Sequence, residues 1–206
     1  YKWTVPYLPI DPVDVGRTYD SDVIRINSQS GKGGVAYVLK HNFGLVLPDK
    51  MREEVGYLMK GVSDHEHAEL SPQEMLDVFK KKYCNPKKIF EIVEAHFEQK
   101  DGIVAKVTIR QDGVKEVVEA KGNGRINAVN NAVKKYFDIS YTLDEYEEHS
   151  LSKKSDAQAI AYVGITQDEK KLYWGAGIHE DIITASIDAL EHAVNVMLDQ
   201  KKDRIR

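Results

Sequence analysis

Several stretches of the sequence hold residue types that could do chemistry. Asp64-His65-Glu66-His67 places two imidazoles one residue apart among carboxylates, the donors of a zinc-type site. On a strand the two rings would share a face. The stretch instead follows Gly61 and precedes a helix-start signal, so a solvated loop is expected and no metal site is predicted. Cys84, in Tyr-Cys-Asn-Pro, stands at a predicted helix end with no evident base to activate its thiol. Asp144-Glu145-Tyr146-Glu147-Glu148 offers carboxylates without a constrained pairing and reads as a solvated strand edge or loop. Gly31-Lys32-Gly33 lacks the Lys-Ser/Thr pair and spaced glycine of a phosphate loop. No complete catalytic constellation is visible in the sequence, which leaves binding.

Two kinds of stretch suit binding. Gly122-Asn123-Gly124 and Gly175-Ala176-Gly177 each follow a third predicted strand and precede a predicted helix. A helix N-terminus presents unpaired N–H groups and a partial positive charge, and glycine lets a ligand approach the backbone, so two such ends would suit a carboxylate. The plain alternative is that the glycines only make the strand-to-helix turn. Likewise Ala157, Ala159 and Ala161 alternate along a predicted strand and leave room on one face, for close packing or for an aliphatic ligand.

The elements that must position these residues fall into three pieces. Residues 1–26 carry three of the six prolines, at Pro6, Pro9 and Pro12, which force an extended course from Val5 to Val13. Asn27 to Gly34 is rich in glycine and serine and reads as a hinge. Residues 35–87 read as helical, with apolar stripes Val35, Val38, Leu39 and Val55, Leu58, Met59, Val62. Ser71-Pro72-Gln73-Glu74 then starts a further helix that buries Met75, Leu76, Val78 and Phe79 and closes at Asn85-Pro86.

Residues 88–206 hold an internal repeat. Strands are predicted at Ile89 to Gln99, Ile103 to Gln111 and Val114 to Ala120, with Asp-Gly hairpin turns between them, before a helix carrying Ile126, Val129 and Val133. The order recurs with strands at Ile139 to Ser150, Asp156 to Thr166 and Lys171 to Ala176, before a helix carrying Ile183, Ile187, Leu190 and Val194. The predicted fold is α+β, a small helical subdomain followed by two duplicated βββα units.

Composition narrows the partners. In 206 residues, 42% hydrophobic and 30% charged, a net charge of -4 gives no electrostatic case for nucleic acid or an anionic membrane. A single cysteine forbids an internal disulfide, and no apolar run or signal-type start points to a membrane or to export, so a cytoplasmic location is expected. The sequence opens on Tyr1 rather than on methionine, which suggests a fragment or a processed product.

Val5-Pro6-Tyr7-Leu8-Pro9-Ile10-Asp11-Pro12, with Val15-Gly16-Arg17 and the block from Arg25 to Tyr37, resembles the long-form α-isopropylmalate synthases. Asp156-Ala157-Gln158-Ala159, Trp174 to Ile178 and Thr184-Ala185-Ser186 resemble that family's regulatory domain, so the resemblance runs along the whole chain. It implies the following. The family's metal-dependent TIM barrel condenses acetyl-CoA with 3-methyl-2-oxobutanoate, and leucine inhibits it through a C-terminal domain. The barrel and its divalent metal would lie before Tyr1, and no cofactor is expected within this chain. The helical piece becomes a linker subdomain, residues 88–206 become a regulatory, dimerising domain, and Tyr7 takes the place of a linker tyrosine implicated in catalysis.

The resemblance further implies a leucine pocket made of Gly122, Gly124, Ile126 and Asn127 from the first repeat and Ala157, Ala159 and Ile182 from the second, with Tyr146 and Ser150. Asn127 departs from the family pattern, which has a small apolar residue there, and the loop from Leu143 to Ser155 departs in length. The expected partners are L-leucine, a second copy of the chain and the catalytic barrel. Two alternatives stand beside this: an isoleucine sensor like that of citramalate synthases, and a dimerisation module without a ligand.

Overall fold

The computed structural model describes residues 32–151 and 157–204. Three helices come first, α1 (Lys32–Phe43), α2 (Asp49–Glu66) and α3 (Pro72–Phe79), followed by a single π turn at Lys80–Cys84. Then come β1 (Glu91–Gln99), β2 (Ile103–Gln111), β3 (Val114–Gly122) and α4 (Arg125–Phe137). The order repeats as β4 (Thr142–Ser150), β5 (Ala159–Thr166), β6 (Tyr173–His179) and α5 (Ile182–Arg204). Each set of three strands forms its own antiparallel sheet, in the orders β1-β2-β3 and β4-β5-β6. The predicted α+β class with two βββα units is therefore the observed one.

Local chemistry accounts for the punctuation. Asp112 and Gly113 both take positive φ, 51° and 79°, the two-residue turn that matches strand twist. Ser71 Oγ accepts from the Glu74 N–H at 3.2 Å while the Glu74 carboxylate accepts from the Ser71 N–H at 2.7 Å, a reciprocal cap that starts α3 behind Pro72. Helix α1 begins at Lys32, inside the stretch read as a hinge, so Gly33 and Gly34 are helical.

Alternation along the strands builds one continuous core. Ala105, Val107 and Ile109 of β2 face Val129 and Val133 of α4, and Ala161, Val163 and Ile165 of β5 face Leu190 and Val194 of α5. The outer faces differ. That of the first sheet is polar, with Glu91 paired to Arg110 at 2.5 Å and Glu98 to Lys100 at 2.9 Å. That of the second presents Ile160, Tyr162, Trp174 and Ala176, which bury against Val38, Leu39, Met51, Met59 and Phe79 of the helical unit. Strand β5 is covered on both sides, which is why its sequence is almost continuously apolar.

The structure also corrects the reading of the second glycine pair. Gly175 and Gly177 lie inside β6 and make no turn; the strand runs on to His179 and α5 starts at Ile182. A Cβ on Gly175 would collide with the Ala189 carbonyl and the Ala193 amide, and one on Gly177 with the Ala185 carbonyl. The glycines therefore admit the backbone of α5 onto the strand, where Ala185, Ala189 and Ala193 meet them at four-residue spacing. A bare pair of glycines looks the same in sequence whether it bends the chain or admits a neighbour.

Helix α5 also holds the other repeat. Asn195, fully buried, accepts the Ile89 and Phe90 N–H groups on Oδ1 at 2.7 and 3.1 Å and returns a bond from Nδ2 to the Phe90 carbonyl at 3.1 Å. Glu191 accepts the Ile92 N–H at 2.6 Å. The Gly175→Val variant should lose about 3 kcal/mol of stability in chemical denaturation, because the atoms in the way are backbone and cannot step aside. A loss within about 0.5 kcal/mol, the size of an ordinary surface change, would contradict the close approach.

Candidate ligand-binding site

In each βββα unit the third strand leads to a helix N-terminus, and the two helix starts are built differently. Helix α4 starts behind Gly124, an extended residue, with no side-chain cap and no acidic residue in its first turn. The first bond that closes the helix runs from the Ala128 N–H to the Gly124 carbonyl at 2.9 Å, so the amides before it lack intrahelical partners. A Cβ on Gly124 would meet nothing within 4 Å, so the approach to those amides is open. Asn127 Oδ1 accepts from the Asn123 N–H at 3.2 Å and from Asn131 Nδ2 at 3.4 Å, bracing the loop. A Cβ on Gly122 would come within 2.5 Å of that oxygen and of the Ala128 nitrogen, so this position requires glycine. Gly122, Gly124, Ile126 and Asn127 thus form one group.

The start of α5 already holds a negative charge. Asp181 Oδ2 accepts from the Thr184 N–H at 3.1 Å and from its hydroxyl at 2.8 Å, bonds that hold this carboxyl below the usual range. The Asp181 N–H donates to His179 Nδ1 at 2.9 Å. Beside this cap, the Tyr146 hydroxyl lies 2.6 Å from Ser186 Oγ and 2.5 Å from the Glu148 carboxylate, and Ser186 donates to the Ile182 carbonyl at 2.7 Å. Burial, and then Glu148, push the Tyr146 phenol up to about 12, so it stays a neutral hydrogen-bonding group at neutral pH.

Register places the remaining residues. Tyr146 pairs with Val163, Glu148 with Ala161 and Ser150 with Ala159, so all six lie on the face of the sheet that meets α5. Ala157, half-buried, precedes β5, and the Leu151 N–H donates to the Gln158 carbonyl at 2.8 Å beside it. Tyr146, Ser150, Ala159 and Ile182 therefore gather at the start of α5, and Ala161 is spent on packing. Glu148, Asp181 and Ser186 also belong to this group, although the sequence assigns none of them to the binding site. Glu148 shares the period of two with Tyr146 and Ser150, and Asp181 is a cap signal once the helix start is known. Ser186 is part of the Thr184-Ala185-Ser186 motif but, as a serine within a helix, gives no local signal of binding. Tyr7 lies outside the described residues.

Residues 69–198 match the family described as the LeuA allosteric (dimerisation) domain, and residues 1–40 match one described as alpha-isopropylmalate synthase, post-catalytic domain-like. The chain is similar to the 2-isopropylmalate synthase of Desulfitobacterium hafniense, 46% identical over 96% of this chain and 36% of that protein. It is 44% identical to that of Helicobacter hepaticus over 94% of this chain, and 38% identical to that of Corynebacterium efficiens over all of it. It spans about a third of the length of these relatives, 36% in each case.

The other candidates carry no visible chemistry. Helix α2 continues through Glu66, with His67 as its left-handed cap, so the expected loop is helical and His65 and His67 do not share a face. No group of three or more potential metal ligands occurs among the described residues, and none of their helices is long and apolar enough to cross a membrane. Cys84 ends the π turn, and burial pushes its thiol up to about 12. At pH 8 this leaves roughly a thousandfold less thiolate than in an open thiol. Cys84 in the folded protein should therefore react with a disulfide reagent at least a hundredfold more slowly than in denaturant; equal rates would show an accessible, ionisable thiol.

Proposed function

Because this chain belongs to the LeuA allosteric (dimerisation) domain family, we propose that it is the C-terminal regulatory region of a 2-isopropylmalate synthase and that leucine binds it as feedback inhibitor. The enzyme would be a transferase of leucine biosynthesis, condensing acetyl-CoA with 3-methyl-2-oxobutanoate in a separate metal-dependent barrel. The observation that carries the site is the open, uncapped start of α4. Free amides and a positive helix end suit a carboxylate there. The start of α5 does not, because Asp181 already neutralises it.

In this reading the carboxylate of leucine sits on the α4 end and its isobutyl group lies against Ala157 and Ala159. Tyr146 and Ser150 line the polar side. Gly122, Gly124, Ile126 and Asn127 shape the carboxylate seat, and Ile182 closes the apolar side. The two groups of residues sit at the ends of two different helices, and a second copy of the chain completes the site if they meet across a dimer. Binding regulates the barrel only if it favours one seating of the helical unit over another. Tyr7 would then act in the linker near the barrel.

One observation favours a second reading, a dimerisation module without a ligand: Gly175, Gly177 and Ala161 all serve packing. Calorimetric titration of the dimeric protein with leucine, isoleucine and valine separates the two. Saturable leucine binding is expected, with isoleucine weaker by about 1–3 kcal/mol. Ala159→Leu should weaken leucine at least tenfold and leave the dimer intact. A dimer that binds no leucine would refute the sensor reading, and a preference for isoleucine would reassign its ligand.

A further inference from the structure

Among the described residues strand β4 is an edge strand, bonded to β5 on one side only, and its register shifts between Leu143 and Glu145. An edge strand with a bulge at its root has more freedom than the central strand it leans on. Its two faces meet different parts of the molecule. Tyr146, Glu148 and Ser150 point toward α5 and the proposed leucine site. Glu145, Glu147 and His149 pair with Gly164, Tyr162 and Ile160, on the face covered by the helical unit.

On that second face β4 is fastened to the link between α1 and α2. Lys50 Nζ lies 2.7 Å from Glu145 and 3.6 Å from Asp144, a half-exposed ion pair of small energetic weight. The Val46 N–H donates to His149 Nε2 at 3.3 Å, and the Tyr162 hydroxyl lies 3.1 Å from the same nitrogen. Gly44, at φ 69°, is so close that a Cβ would stand 2.9 Å from the Leu151 carbonyl oxygen. A backbone N–H can only donate, so Nε2 accepts and Nδ1 carries the ring proton of the neutral imidazole. That proton points at the Ser150 carbonyl, 3.1 Å away. The imidazole therefore joins the backbone of the helical unit to the backbone of a residue on the ligand face.

We infer that His149 is the positioning residue through which the leucine site sets the seating of residues 44–50 of the helical unit. This rests on the leucine reading above. A strand moves as a unit, so a ligand that restrains Tyr146 and Ser150 on one face restrains Glu145 and His149 on the other. The helical unit then meets a fixed strand in place of a mobile one. No side chain has to carry a signal over a distance, because consecutive residues of β4 touch both parties.

Hydrogen exchange on the full-length chain, with and without saturating leucine, tests this. In the unmodified protein leucine should slow amide exchange at least fivefold in residues 142–151 and also in residues 44–51. His149→Ala should bind leucine within threefold of the unmodified protein and keep the slowing in 142–151, but lose it in 44–51. His149→Gln, whose side-chain oxygen can still accept from Val46, should restore it. Slowing confined to 142–151 in the unmodified protein would overturn the coupling and leave the leucine reading standing. So would a His149→Ala protein that still shows the change in 44–51. No slowing anywhere, together with no heat of binding, would remove the leucine reading and this inference with it. Should His149→Ala fail to fold, the map of the unmodified protein and the His149→Gln variant still decide the matter.

Discussion

The backbone of α5 lies directly on that of β6, and the rest of the architecture is arranged around that contact. Two glycines on the strand and three alanines on the helix let the two backbones meet with nothing larger than a Cβ between them. A side chain added at either glycine would push the helix off the strand. With the helix so held, Glu191 and Asn195 stand at the right height to take three amides at the head of β1. Buried polar groups of this sort are costly to leave unpaired, and here each has its partner. One helix thus serves as the floor of its own sheet and as the clasp of the other.

The two repeats share an inner face and differ on the outer one. The first sheet turns ion pairs to water, while the second presents tryptophan, tyrosine and isoleucine to the helical unit. This difference lets a duplicated domain attach to its neighbour at one end only. The two helix starts are unequal as well, because one is capped by its own aspartate and the other has no side-chain cap. A pair of sites that looks symmetric in a topology diagram is chemically two different sites.

Much of this was legible in the sequence. The Asp-Gly turns, the serine-proline-glutamate cap and the alternating strands locate the elements because each is a local preference with a local cause. Strand β2 falls where its periodicity puts it, at Ile103–Gln111. Gly175 and Gly177 were misread because the reason for them is a helix that follows later in the chain. Asn195 and Glu191 gave no signal, since an amide or a carboxylate in a helix becomes a clasp only when a strand from about a hundred residues earlier arrives. Of the residues around the start of α5, the alanines and the tyrosine stand out as types, whereas Glu148 and Asp181 join them only once strand register and helix start are known.

The clasp at the head of β1 has a consequence for how the chain is made. The Ile89 and Phe90 amides wait for a side chain 106 and 105 residues further on. The first βββα unit can pair its strands and collapse around its own helix, yet these amides lack their partner until α5 has been made. Closing so long a loop is slow relative to local hairpin formation. Until then the head of β1 offers amides without their partner, and the polar outer row of that sheet, glutamate beside lysine and arginine, is the kind of surface that discourages edge-to-edge pairing.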